Sequence, residues 1–359
     1  MKERVLFSVL LGLSLLTLQT FILPQTCLPQ SLPGGKTVLA LPEADAQVRR
    51  FIEEAKHHTL EVGDATFEIC RKEGKLSVST NNIDDYVRDA ARAVIAYYGE
   101  FPVEKTIVVI EPTDEYGVGF ATSTFEDDGG HGLIEIEIGR GATNSQLRTS
   151  WTLTHEMMHL AFPIMGRRHR WLAEGIATYV EPIGRMRIGK LSSEDVWKDL
   201  ADNLHKGLPS SIDDGGLNKV QGRQRLYWGG ALYCLIADVS IRKQTQNRMG
   251  LEEALRAVAD TGGTAASDWD AEKSLRVADG AIGARVLEDL YDEMAESPGS
   301  VDIPELLAQL GVEQSGETIV FDEDAPLAPV RRAIERGTAA SLSQSLHDDT
   351  TDGTAPSVN

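Results

Sequence analysis

Two segments constrain this chain of 359 residues more than anything in its composition. They are His155-Glu156-Met157-Met158-His159 and, a short interval later, Trp171-Leu172-Ala173-Glu174-Gly175. Side chains four apart on a helix stand one turn above another on the same face, so the imidazoles of His155 and His159 can converge on a single ion. Glu156 lies beside the first of them, within reach of a water on that ion, the arrangement in which an HExxH helix carries its own general base. Two histidines make half a site, because a catalytic zinc takes three protein ligands and keeps a fourth position open. Glu174 lies fifteen residues beyond His159. Pro163 and Gly166 end the first helix, and Leu172 to Val180 reads as the start of a second. The spacing predicts one zinc ion per chain, held by His155, His159 and Glu174.

A five-residue motif alone also occurs by chance, as the polar face of an amphipathic helix, so its flanks matter. Ser150 to Thr154 and Leu160 to Phe162 make this helix largely apolar. Burying two imidazoles and a carboxylate in it is costly unless an ion or another partner satisfies them. The two segments, HEMMH and WLAEGIATYVE, resemble those of the gluzincins, zinc peptidases whose ligands are two histidines and a glutamate, and in particular the aminopeptidase N and glycyl aminopeptidase families. A third stretch, Leu226-Tyr227-Trp228-Gly229-Gly230-Ala231-Leu232, is similar to a helix start of those families whose tyrosine hydroxyl stabilises the oxyanion. The resemblance assigns that role to Tyr227; taken alone, the residue also fits an aromatic anchor beside Trp228. The resemblance spans roughly residues 85–260. It implies an α+β fold, a thermolysin-like zincin with a small mixed sheet whose edge strand lines the cleft, followed by a mainly helical C-terminal subdomain. It also implies hydrolysis of a peptide or protein substrate by a zinc-activated water, with Glu156 as base. A non-peptidase zinc hydrolase, or a catalytically silent zinc-containing binding protein on the same fold, stays open.

Upstream, Leu133-Ile134-Glu135-Ile136-Glu137-Ile138 alternates with period two and puts both glutamates on one face. The resemblance makes this strand the sheet edge that takes up substrate backbone by strand addition. Gly130, His131, Glu135 and Glu137 thereby become candidate substrate contacts. The aminopeptidase N family carries a glutamate at the start of this strand that holds the substrate's free amino group. Gly130-His131-Gly132-Leu133 has none, which puts exopeptidase action in doubt unless Glu135 or Glu137 points into the cleft. His131 reads equally well as a solvated loop residue. Thr178 stands where the thermolysin pattern has an aspartate, and Glu181 shares a helix face with Glu174; both are candidate supports for the ligands. Arg167-Arg168-His169-Arg170 reads as a solvated basic loop.

The remainder of the chain organises around this domain. Val5 to Leu23 is an uncharged apolar run behind Met1-Lys2-Glu3-Arg4, the layout of a secretory signal and also long enough to span a bilayer. Residues 1–35 are therefore expected to be a signal peptide or membrane anchor plus linker. That places the protein in the periplasm, outside the cell or at its surface, with a membrane contact only through an uncleaved anchor. Residues 36–80 read as a small N-terminal α/β segment, with a helix from Asp45 to Leu60 and strands at Thr66–Cys70 and Lys75–Ser79. The peptidase domain takes 81–336, with zinc helices in 144–181 and a helical part in 190–336. The Ser-, Thr- and Asp-rich tail 337–359 has little to bury and reads as disordered. A net charge of -20 argues against nucleic acid or an anionic membrane surface as a partner. Cys70 and Cys234 either pair or stand as separate buried thiols.

Overall fold

The run Thr106-Ile107-Val108-Val109-Ile110 needs cover on both faces, which only an interior strand provides. The computed structural model describes residues 57–126 and 130–337, and places this run in the middle strand of a five-stranded mixed sheet. The strands are β1 (His57–Val62), β2 (Ala65–Arg71), β3 (Lys105–Thr113), β4 (Val118–Glu126) and β5 (His131–Gly139), in the order β1-β2-β3-β5-β4. The three inner strands are parallel; β1 and β4 close the two edges antiparallel. Helix α1 (Thr80–Tyr98) connects β2 to β3 and starts from a reciprocal capping box between Ser79 and Asn82.

The sheet has two unlike faces. Phe67, Ile69, Val108, Ile110, Ile134, Ile136 and Ile138 belong to the main core, under α1 and the helices that follow. Cys70, Ile107, Val109 and Leu133 form a small separate cluster on the other side. There, Lys72 bridges Glu111 and Glu135. Cys70 and Cys234 are both unbonded and buried, in different clusters.

After the sheet the described chain is mainly helical: α2 (Asn144–Thr149), α3 (Thr152–His159), α4 (Arg170–Arg187), α5 (Ser193–Asn203), α6 (Arg223–Thr245), α7 (Leu251–Asp260), α8 (Ala271–Ile282), α9 (Leu287–Met294) and α10 (Ile303–Gln309). A hairpin of β6 (Val312–Ser315) and β7 (Thr318–Phe321) and a last helix α11 (Ala328–Arg336) complete it. Helix α4 crosses α6 where two glycines meet. A Cβ on Gly175 would stand 2.2 Å from Gly230 Cα, and one on Gly230 would stand 2.2 Å from the Trp171 carbonyl oxygen. Beyond the crossing, Asp238, Arg242 and Glu252 form a buried ion chain that Tyr179 and Arg187 join from α4.

Several sequence expectations change. The strand carrying Leu133–Ile138 is interior; the edge is β4, which covers it. Residues 57–60, expected to be helical, are strand, because their exposed and half-buried side chains alternate in register with β2. The rest of that expected helix, 45–56, lies outside the described residues, as do the leader 1–35 and the tail 338–359. Lys75–Ser79 is no strand, since Ser79 is committed to capping α1. The first zinc helix, expected from residue 144 onward, is two helices broken at Ser150, the first of them capped by Thr143. The segment Ile319–Phe321, placed among helices, is one arm of the hairpin.

The glycine crossing is testable. Gly230→Ala is expected to lower unfolding free energy by about 1–3 kcal/mol in urea titrations, because backbone rather than a flexible side chain blocks the new methyl group. Gly280→Ala, in α8 with open space around it, is expected to raise it by about 0.5–1 kcal/mol. Equal effects at the two positions would mean that the crossing has no special closeness.

Candidate metal centre

Helix α3 has no side-chain cap from its own Ncap residue, Trp151. Tyr86 of α1 takes that part: its hydroxyl donates to Ser150 Oγ at 3.0 Å and accepts from the Leu153 backbone N–H at 3.1 Å. The first turn of α3 is thereby satisfied from a neighbouring helix. On the sheet side, a Cβ on Gly132 would lie 2.9 Å from Leu160 Cδ1, so the missing side chain makes room for the end of α3. Helix α3 is thus fixed at both ends, with His155 buried and His159 partly open.

Glu174 Oε2 stands 3.4 Å from His155 Nε2 and 3.4 Å from His159 Nε2. The three donor atoms all lie within 4.8 Å of one another. Donors at ~2.1 Å from a tetrahedral ion are separated by about 3.4 Å, so two of the three spacings match a zinc site and the donor types suit that metal. Burial alone would raise the Glu174 pKa; hydrogen bonds and charge from the two histidines overcome it and hold the carboxyl far below its usual range. Burial lowers the pKa of His155, against the pull of Glu174, and so favours the neutral imidazole a metal needs.

Around these three stand residues that the sequence did and did not single out. Glu156 Oε2 accepts a hydrogen bond from Ser123 Oγ of β4 at 2.7 Å. The Tyr227 ring stacks on that of His155, centroids 6.0 Å apart at 23°. Burial and the charge of Glu174 raise the Tyr227 pKa, against Arg223 and Arg170, so the phenol keeps its proton. Trp151, half-exposed, packs against His155 in a T-shaped pair with ring centroids 5.2 Å apart. Arg170 is exposed, as expected, but it is no loop residue: it opens α4, and its Nε and Nη2 donate to Glu174 Oε1 at 3.0 and 2.9 Å. One carboxylate oxygen is held by the guanidinium and the other faces the histidines. The i,i+4 spacing of Arg170 and Glu174 is the sequence signal that would have found this pair. Nothing local marks Ser123, which reaches Glu156 through sheet pairing.

The remaining candidates lie elsewhere. Glu135 pairs with Lys72, and Glu137 accepts from the Phe120 backbone N–H at 3.3 Å. Both are on the outer sheet face, because Ile134, Ile136 and Ile138 take the inner one. Gly130 and His131 pair with Glu126 across the turn between β4 and β5. Thr178 bonds the Glu174 carbonyl rather than its carboxylate, at 2.7 Å. Glu181 pairs with Arg185 at 2.9 Å, and burial pushes its pKa up to about 7 against that partner. Around the centre, the structure brings together His155, His159, Glu174, Glu156 and Tyr227, and leaves Gly130, His131, Glu135 and Glu137 out.

No known protein family matches the chain, and no curated protein matches it. Among solved structures, an aminopeptidase N family protein of Idiomarina loihiensis is similar in fold, with a TM-score of 0.54 at 14% identity over 72% of this chain and 49% of that one. An M1 zinc metallopeptidase of Deinococcus radiodurans aligns at a TM-score of 0.46 and 17% identity, over 70% of this chain and 53% of that one. The chain spans about half the length of the solved structures it matches. At such identities the likeness is one of fold.

Two outcomes follow from the contacts of α4. Arg170→Ala is expected to weaken zinc binding about 10–100-fold in chelator competition, since it frees the ligand carboxylate to turn; unchanged affinity would reduce the pair to a surface contact. For Glu181, a folded pKa of about 7 against 4.5 unfolded means that the folded chain holds a proton the unfolded chain has lost. Its contribution is complete below pH 4.5 and is lost as pH rises through 7. The difference in unfolding free energy between wild type and Glu181→Gln should therefore change by about 3 kcal/mol across that window. Parallel pH profiles for the two proteins would contradict this.

Proposed function

We propose that this chain is an exported zinc-dependent peptidase of the thermolysin-like zincin type. One observation carries the reading: a carboxylate, Glu156, stands beside the three-donor cluster on the same helix turn, with Tyr227 stacked on one of the donors. A structural metal site needs neither a base nor a hydroxyl donor. The similar fold of the aminopeptidase N family protein supports the reading. Export rests on the sequence of residues 5–23 alone.

When bound, zinc supplies a Lewis acid for the scissile carbonyl and lowers the pKa of a water to ~7. Glu156, oriented by Ser123, accepts the proton of the attacking water and passes it to the leaving amine as the C–N bond breaks. Tyr227, still protonated, donates a hydrogen bond to the carbonyl oxygen as charge gathers there. Arg170 keeps one oxygen of Glu174 occupied, so the carboxylate offers the other towards the histidines. The free edge of β4 runs beside α3, and an extended substrate adds to it as a further strand.

Glu156→Gln is expected to reduce kcat about 10²–10⁴-fold while zinc stays stoichiometric. Tyr227→Phe is expected to reduce kcat about 10²–10³-fold with little change in KM. A mixed peptide library read by mass spectrometry reports activity and cut position together. A zinc-loaded wild type that cuts nothing in the library would move the reading to another hydrolase substrate or to a silent binding protein.

A further inference from the structure

The chain carries 55 acidic side chains against 35 lysines and arginines, yet two arginines, Arg170 and Arg223, stand beside Glu174 and Tyr227 of the candidate centre. Arg223, exposed, opens α6 with its guanidinium 6.0 Å from the centre of the Tyr227 ring. It has no carboxylate partner among the described residues. Its neighbours differ: Arg170 is bound to Glu174, Arg168 to Glu296, and Arg225 to the carbonyls of Asp214 and Gly215. The Tyr227 ring in turn lies 6.0 Å from that of His155. Two such separations put the guanidinium within about 12 Å of the ligand imidazole, the span of three or four extended residues.

Besides the ligand Glu174, the charged side chains that act on Tyr227 are both positive, Arg223 and Arg170. Arg170 opens α4 and Arg223 opens α6, the helix that carries Tyr227. The Ncap of α6, Gly222, offers no side chain to the helix's first N–H groups, whose partial positive charge adds to both. The acids a cationic substrate would need are elsewhere: Glu135 and Glu137 are on the outer sheet face, and Glu156 and Glu174 are committed to the centre. With Arg170 already paired to Glu174, the guanidinium of Arg223 beside Tyr227 is the group that a substrate carboxylate can meet here.

We infer that Arg223 is a specificity-determining residue that binds a carboxylate of the substrate within about three residues of the scissile bond. This rests on the peptidase reading above. The carboxylate belongs either to an aspartate or glutamate side chain or to the substrate's own C-terminus; both present the same planar pair of oxygens to a guanidinium. On this account the protein prefers acidic peptides, or peptides that end close to the cut, and selects against a free amino group at the same position.

The test uses the full chain loaded with zinc and peptides of one sequence with blocked ends. In one arm each of the three positions on either side of the cut carries Glu or Gln; in the other the C-terminus, placed at the same distances, is a free acid or an amide. The readout is the ratio of kcat/KM for the charged form over its neutral counterpart. A ratio of about tenfold or more is expected in one arm, the strength of a charge-assisted hydrogen bond, and the arm that shows it identifies the source. The ratio should fall to about one in Arg223→Gln, drop below one in Arg223→Glu, and shrink in raised salt. Zinc content and thermal midpoint confirm that these surface variants are folded. Wild-type cleavage that depends on Glu156 but shows no charge preference overturns this inference and leaves the peptidase reading standing. A preference that survives Arg223→Glu also overturns it. No cleavage of any peptide by the zinc-loaded wild type removes the peptidase reading, and this inference with it.

Discussion

The site depends on how closely two helices approach. At Gly175 and Gly230 the backbones of α4 and α6 touch with no side chain between them. Glu174 is the residue before one glycine, and Tyr227 lies three before the other. A crossing widened by one methyl group on each helix would carry the third donor and the phenol away from the histidines together. The same two helices are joined again about one turn further along α4 and two along α6, where Tyr179 donates to Asp238 at 2.9 Å. Arg242 and Glu252 extend that contact as a fully buried chain. Such a chain contributes little net stability, but breaking one of its partners leaves a buried charge uncompensated. Glycines set the distance between the helices, and the ions set their rotation.

Electrostatics then explains why the donors sit as they do. Glu174 is buried among groups that would each prefer water, and three donors to it, two imidazoles and one guanidinium, hold it ionised. Arg170 and the histidines divide its two oxygens, which fixes the carboxylate plane without help from an ion. An ion entering the cluster meets a ligand already turned towards it, so less ordering entropy is lost on binding. Support from a residue four positions back along the same helix also means that ligand and support move as one unit.

The donor set was legible in the sequence because it rests on local periodicity: His155 to His159 is one helical turn, and Glu174 begins the next helix. The interior strand β3 and the two-faced strand β5 were legible for the same reason. What could not be read was anything decided by pairing between distant segments. Whether β4 or β5 lies at the edge depends on a hairpin turned back on the sheet, and an apolar alternation looks the same in either position. Ser123 and Tyr86 owe their roles to contacts across 33 and 67 residues, with no motif to announce them. Arg170 is the exception, since its spacing from Glu174 was visible and only the assumption of a solvated loop hid it. The hairpin β6–β7 was lost because four-residue strands are too short to show a period.

The outward placement of Glu135 and Glu137 bears on what the cleft can hold. Turning either glutamate towards the centre requires β5 to slip by one residue, and a slip of one sends every side chain of a strand to the opposite face. Ile134, Ile136 and Ile138, each at most 1% exposed, would then face water. At about 1.5–3 kcal/mol for each buried side chain, the loss approaches the whole stability of an ordinary domain. The slip would also break both ladders, since β5 is paired to β3 on one side and β4 on the other. The two acids are therefore excluded from the cleft by the packing of the core, whatever their chemistry would suit. With them outside, the charged side chains that act on Tyr227 besides the ligand Glu174 are Arg170 and Arg223, so the shortage of acids on which the proposed choice of a substrate carboxylate rests follows from the register of β5.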